Sequence, residues 1–266
     1  MATQETNEGL MRRDFVRLSA GIVGALGIPG LTDQRSSTAV SALRPRFTLD
    51  ETWLVVGLTG MARSKGWFNA HLGAAVLAGY YLCRENSFSE ALVVAIQQQL
   101  ESLVRVHEAQ FAEFEPQEAD QYLVERIPAA LRPALEGGLR AHGHAAIYTA
   151  LAVRALRDAP QMAQPQIIRL LCEHNAQIAQ KAPERPTQVT EYADTQALVE
   201  ALFTNLARFE PLLGRPSVRR PNFVHMTTHT EALLTLDELG YHELVRIGHA
   251  GHQAHVSAPV PEFDPV

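Results

Sequence analysis

Apolar residues recur at three- and four-residue intervals through residues 49–63, 67–84 and 88–114, the spacing of amphipathic helices with one buried face. The same period returns over 141–157, 165–181, 190–209, 223–238 and 241–254. Ser87 or Ser89, with glutamate following, supplies a start signal for the third helix. Segment 118–136 carries Pro128 and Pro133 and is expected to split into two short helices. Gly137 and Gly138 punctuate the chain after it, and Pro183 and Pro186 separate 165–181 from 190–209. The stretch 211–222 reads as a loop rich in proline and arginine, the helix after it ends near Gly240, and residues 257–266 read as an extended tail. No run of alternating β-branched residues bounded by turns is found. The pattern predicts an all-α protein: a single compact multi-helix domain over 43–256, its central apolar helices surrounding a histidine-rich site.

Composition narrows the classes. A chain of 266 residues, 46% hydrophobic, can bury one large core. The net charge of −6 and the lack of a basic stripe with interleaved aromatics argue against nucleic acid as a partner. No apolar run beyond the N-terminus reaches spanning length. Residues 1–42 read apart from the domain. Arg12, Arg13, Phe15, Val16 and Arg17 precede a weakly hydrophobic Gly/Ala-rich run, which resembles a twin-arginine export signal, with small residues at 39–42 as a cleavage region. That resemblance implies a periplasmic or secreted protein, the twin-arginine machinery as a partner, and a cofactor inserted before export. An amphipathic N-terminal helix or a plain tail is the other reading. Cys83 and Cys172 form no CxxC motif; two buried free thiols, or a pair in an oxidising compartment, both fit.

The eleven histidines carry the candidate chemistry, because imidazole is the commonest protein metal ligand. His225 and His229 stand four apart in FVHMTTHTEALL, on one helix face, where both can reach one ion. Thr227 and Thr228 supply either hydroxyls behind the ligands or bonds back to the helix backbone. His249, His252 and His255 follow at three-residue steps and are either ligands or part of a frayed polar helix. His71 opens a strongly apolar helix and His144 another, each followed by small residues that leave room for an ion or permit close packing. His107, with Glu108 and Glu113, and His174, with Glu173, read either as a ligand or proton shuttle or as part of a charged outer face, and His142 and His242 read as exposed.

Three motifs in order are similar to the questin oxidase-like family. NAHLGAAVLAGYYL resembles that family's Asn-His-Leu-rich helix, with Ala70 here between Asn69 and His71. GHAAIYTALAVRAL resembles its Gly-x-His helix, with His144 as the matching histidine. FVHMTTHTEALLTL resembles its His-x-x-Thr helix, with His225 and Thr228 matching. RIGHAGHQAH stands where the family's last element carries a lysine, and offers His252 or His255 instead; only Lys65 and Lys181 occur in the chain. The resemblance implies an all-helical fold, a non-haem iron held largely by histidines, and oxygen-dependent oxidation of an aromatic compound.

The candidate ligands are therefore His71, His144 and His225, with His252 as the fourth. Tyr148, one turn after His144, and His229 are the candidate catalytic residues. Iron is the expected metal, with copper and zinc compatible with the same ligands. Dioxygen and an aromatic or quinone-like small molecule are the expected substrates, and Trp67 and Phe68 are candidate pocket aromatics. Two other classes remain open: an exported metal carrier without turnover that binds through His249, His252 and His255, and a structural protein with packed histidines. No GxSxG or Cys/His nucleophile context points to a hydrolase.

Overall fold

Ser89 lies in extended backbone and its hydroxyl accepts the Leu92 N–H at 3.4 Å, so the helix expected from residue 88 begins at Glu90 with a serine cap. Only a few helix starts carry such a side-chain cap in the computed structural model, which describes residues 47–186, 191–208 and 223–257. All of these belong to one unit, Pro45–Val266. The twin-arginine-type segment, its small-residue stretch, the 211–222 loop and the tail beyond Ser257 lie outside the described residues.

Ten helices follow in order: α1 Thr52–Ala62, α2 His71–Glu85, α3 Glu90–Val106, α4 Glu108–Phe111, α5 Arg126–Leu135, α6 His144–Asp158, α7 Pro165–Ala179, α8 Thr195–Arg208, α9 Phe223–Glu238 and α10 His242–Val256. The protein is all-α: among the described residues there is no strand, only an isolated bridge in which Leu139 and Glu184 exchange backbone hydrogen bonds of 2.8 and 2.7 Å. No helix there is long and apolar enough to cross a membrane.

The departures from the periodic reading each have a local cause. The expected 88–114 helix breaks at His107, whose backbone (φ −119°, ψ 32°) leaves the helical region. Segment 118–136 divides into a 3-10 turn, Gln121–Glu125, and α5. Pro128 falls in the first turn of α5, where its missing N–H has no helical partner to lose. Helix α8 starts at Thr195 rather than 190, because the Asp194 carboxylate accepts the Ala197 N–H at 2.8 Å. Pro165 opens α7 as expected of proline at a first helical position. Both cysteines are free thiols, Cys83 buried and Cys172 half-buried.

The core runs between α1, α2, α5, α6 and α7, with Leu54, Leu58, Met61, Leu77, Ile127, Leu131, Leu156 and Ile167 fully enclosed. The tightest crossing is α1 on α2. A Cβ at Gly73 would run into the Met61 backbone nitrogen and come within 2.5 Å of the Gly57 carbonyl oxygen. Backbone meets backbone there, so no side chain can rotate away. Gly73→Ala is expected to lower stability by about 3 kcal/mol or more; an unchanged thermal midpoint would contradict this crossing. Helix α9 is enclosed by α6, α8 and α10. The functional consequence is that the first turns of α2, α6 and α9 are brought to one place.

Candidate metal centre

His71 is the first residue of α2, His144 the first of α6, and His225 lies in the first turn of α9. One ligand nitrogen from each falls within 4.8 Å of the others, so the three form a group able to hold a metal ion. These are three of the four ligands expected from the sequence. His144 is buried, and His71 and His225 are half-buried, which leaves one side of the group open.

The backbone before each helix sets the tautomers. His71 Nδ1 lies 2.5 Å from the Phe68 carbonyl oxygen, and His144 Nδ1 contacts the Ala141 carbonyl oxygen. A carbonyl only accepts, so both Nδ1 atoms carry the proton and donate it. Each Nε2 is then a bare lone pair, and the two Nε2 atoms face each other at 2.6 Å. Two lone pairs at that distance repel unless a cation or a proton lies between them. Nitrogens bound to one ion at about 2.1 Å stand about 3.3 Å apart, so the rings need to part by under roughly 1 Å. Backbone acceptors behind Nδ1 that fix the tautomer are a common support for metal-binding histidines.

The Ala141 carbonyl is placed by an unusual turn. Ala141, His142 and Gly143 all have positive φ, at 45°, 55° and 84°. This is why α6 starts at His144 and not at 141. For alanine and histidine such backbone costs roughly 1–2 kcal/mol per residue. It is anchored by the Leu139–Glu184 bridge and by Arg140, whose Nε donates to the Lys181 carbonyl at 2.8 Å. Gly143 also admits the His229 ring: a Cβ there would sit 2.5 Å from His229 Cγ.

The surroundings are largely aromatic. The Tyr148 hydroxyl is 3.0 Å from His71 Nδ1, so the tyrosine expected to face the same site does so, behind a ligand. Trp67 packs on His144 with centroids 5.4 Å apart, and Phe68, 66% exposed, packs on His71 at 5.0 Å. The Lys181 ammonium lies 5.1 Å above the Trp67 ring. Burial pushes the His144 pKa down to about 4, against the pull of its bond to the Ala141 carbonyl, and the nearby His71, His225 and His142 lower it further. The His225 pKa falls for the same leading reason, and burial raises that of Tyr148. Neutral imidazoles are the metal-binding form.

The other histidines are placed elsewhere. His252, the expected fourth ligand, is fully buried and outside the group of three. Its Nδ1 accepts from the Tyr192 hydroxyl at 2.7 Å. Its Nε2 donates to Thr230 Oγ1 at 3.0 Å, because that hydroxyl gives its own proton to the Met226 carbonyl. Both nitrogens are committed, and the reason is that α10 packs His252 against α9 rather than aiming it at the centre. His249 Nδ1 accepts from the Tyr192 backbone N–H at 3.4 Å. His249, His252 and His255 are buried, not frayed. His229 is buried one turn below His225, against Gly143 and Gly251. Thr228 bonds back to the Val224 and His225 carbonyls. His174, for which a charged outer face was one of the two readings, is buried, its Nε2 2.8 Å from the Met61 carbonyl and 3.1 Å from Ser64 Oγ. Its burial was signalled by Ile167, Ile168, Leu171 and Ile178 on the same face. Tyr192, which spans His249 and His252, had no sequence signal.

No family model, no curated protein and no solved structure matches the chain.

Proposed function

We propose that the protein is a metal-dependent oxidoreductase, a non-haem iron oxygenase that acts on an aromatic or quinone-like small molecule after export by the twin-arginine route. The observation that carries the metal is the pair of opposed Nε2 lone pairs on His71 and His144, with their Nδ1 protons held by backbone carbonyls. An ion supplies the charge between them, and His225 is the third ligand. Imidazole donors suit iron, copper and zinc; the half-open side of the group and its aromatic rim favour a reactive iron over a closed structural zinc.

When bound, iron would supply the activation of dioxygen. The chain's own residues do the rest. Trp67 and Phe68 offer flat apolar faces beside the ligands, suited to a planar ring. Three neutral ligands leave the ion's charge uncompensated. The first turns of three helices add partial positive charge at the same place. Both favour a substrate that binds through an anionic oxygen, such as a phenolate. The Tyr148 hydroxyl holds the Nδ1 side of His71 and fixes that ring.

The test is metal content of untagged protein purified without added metal, followed by oxygen-consumption assays with phenolic and quinone substrates. Iron near one ion per chain with substrate-dependent oxygen uptake is the expected result. Zinc or copper with no oxygen uptake would replace the oxygenase with a carrier. In a second assay, Phe68→Ala is expected to raise the KM for an aromatic substrate about tenfold while leaving iron content unchanged; loss of iron instead would make Phe68 a support of the centre.

A further inference from the structure

One histidine pair lies outside this centre. His229 is 1% exposed, and neither of its ring nitrogens has a hydrogen-bond partner. Every neutral imidazole carries one N–H and one lone pair. A buried donor or acceptor left without a partner costs about 1–3 kcal/mol. His255 has the same deficit on one side. It is hydrogen-bonded to the His142 backbone, while its buried Nε2 has no partner. Its other nitrogen therefore donates to the His142 carbonyl, and Nε2 is a lone pair. The two rings approach with centroids 5.4 Å apart at 61°.

His252, from the same helix, shows what a packed histidine looks like in this fold, with one partner for each nitrogen. His229 and His255 lack that arrangement although both are buried. Small residues keep space around His229. Gly143 and Gly251 flank the His229 ring and, with Leu139, line a cavity of about 10 Å³, enough for one water molecule.

We propose that His229 and His255 form a second, buried site for a borderline transition-metal ion of the zinc type, distinct from the His71–His144–His225 centre. Two imidazoles on one tetrahedral ion, with metal–nitrogen bonds of about 2.0–2.1 Å, place their ring centroids about 5 Å apart, close to the 5.4 Å seen here. The cavity beside His229 has room for one water as a further ligand. Burial holds both rings in the neutral form that binds metal. This site does not depend on the iron reading of the first.

The experiment is zinc stoichiometry. Untagged protein is stripped with chelator, reconstituted with excess zinc and desalted, and zinc per chain is measured by mass spectrometry. About two ions are expected for the wild type, and about one for each of His144→Gln, His229→Gln and His255→Gln, with far-UV circular dichroism verifying folding. A single ion that His144→Gln loses, or two ions retained by folded His229→Gln and His255→Gln, overturns the second site. So does an absence of zinc in the wild type. A single ion kept by His144→Gln but lost from His229→Gln and His255→Gln upholds this site and overturns the first. If the His229 and His255 variants do not fold, the wild-type count against that of His144→Gln decides: two falling to one, or one retained, supports the second site, and one falling to none sinks it.

Discussion

His144→Ala is expected to weaken metal binding at the His71–His144–His225 centre by at least about 100-fold, because it removes the one fully buried ligand and the nitrogen that faces His71 Nε2 at 2.6 Å. Groups that merely support a ligand cost 10–100-fold when removed, and the loss of a ligand exceeds that range. A second substitution at the same residue should behave differently without metal. Removing one of two opposed lone pairs relieves a repulsion, so metal-free His144→Leu, which keeps most of the volume, is expected to be no less stable than the metal-free wild type. Chelator-treated samples compared by thermal melting, beside isothermal titration with metal, separate the two effects. Wild-type affinity in His144→Ala would remove His144 from the centre. A metal-free His144→Leu that is several kcal/mol less stable would mean that its ring holds the fold rather than an ion.

Acid should unfold the metal-free protein well before its carboxylates titrate. Burial holds the pKa of His144 and His255 at about 4 and that of His252 at about 3, and lowers that of His229 well below its ordinary value. In the unfolded chain the same groups titrate near 6.5. Below that value the unfolded state takes up protons that the folded state refuses. Their contribution is therefore fully present above about pH 6.5 and is lost as pH falls towards 4. Each group contributes up to roughly 1.4 kcal/mol per pH unit in that window. Four together, from pH 7 to 5, approach the whole stability of an ordinary domain, about 5–15 kcal/mol. A steep fall of the melting temperature between pH 6.5 and 5 is the expected record. A flat profile would mean that these histidines meet water or protons in the folded state.

The helices were legible because burial of one face imposes its period on the sequence, while a capping residue marks only a few of the starts, Ser89 and Asp194 among them. His71 and His144 were legible because each opens an apolar helix beside small neighbours, and His225 because it stands four residues from His229 on one helix face. The left-handed turn was not. Ala141 and His142 carry no mark of positive φ, and only Gly143 hints at it; tertiary anchoring through Leu139, Arg140 and Glu184 imposes the rest. His252 was misplaced for a related reason. Its three-residue spacing from His249 and His255 reads as a set of ligands, but Thr230 and Tyr192, from other segments, take up its nitrogens. Such pairings between distant segments leave no periodic trace.

The three histidines of the centre come from distant parts of the chain, His71 and His144 alone standing 73 positions apart. An ion bound to all three is therefore a cross-link that closes long loops, and the unfolded chain cannot hold it in the same way. Free metal at a thousand times its dissociation constant would add about 4 kcal/mol to the folded state. The working lifetime of the molecule, its resistance to proteases and to heat, would then follow the metal supply of its surroundings. A starved cell would lose the protein itself and not only its chemistry, so abundance would report metal status without any dedicated sensor.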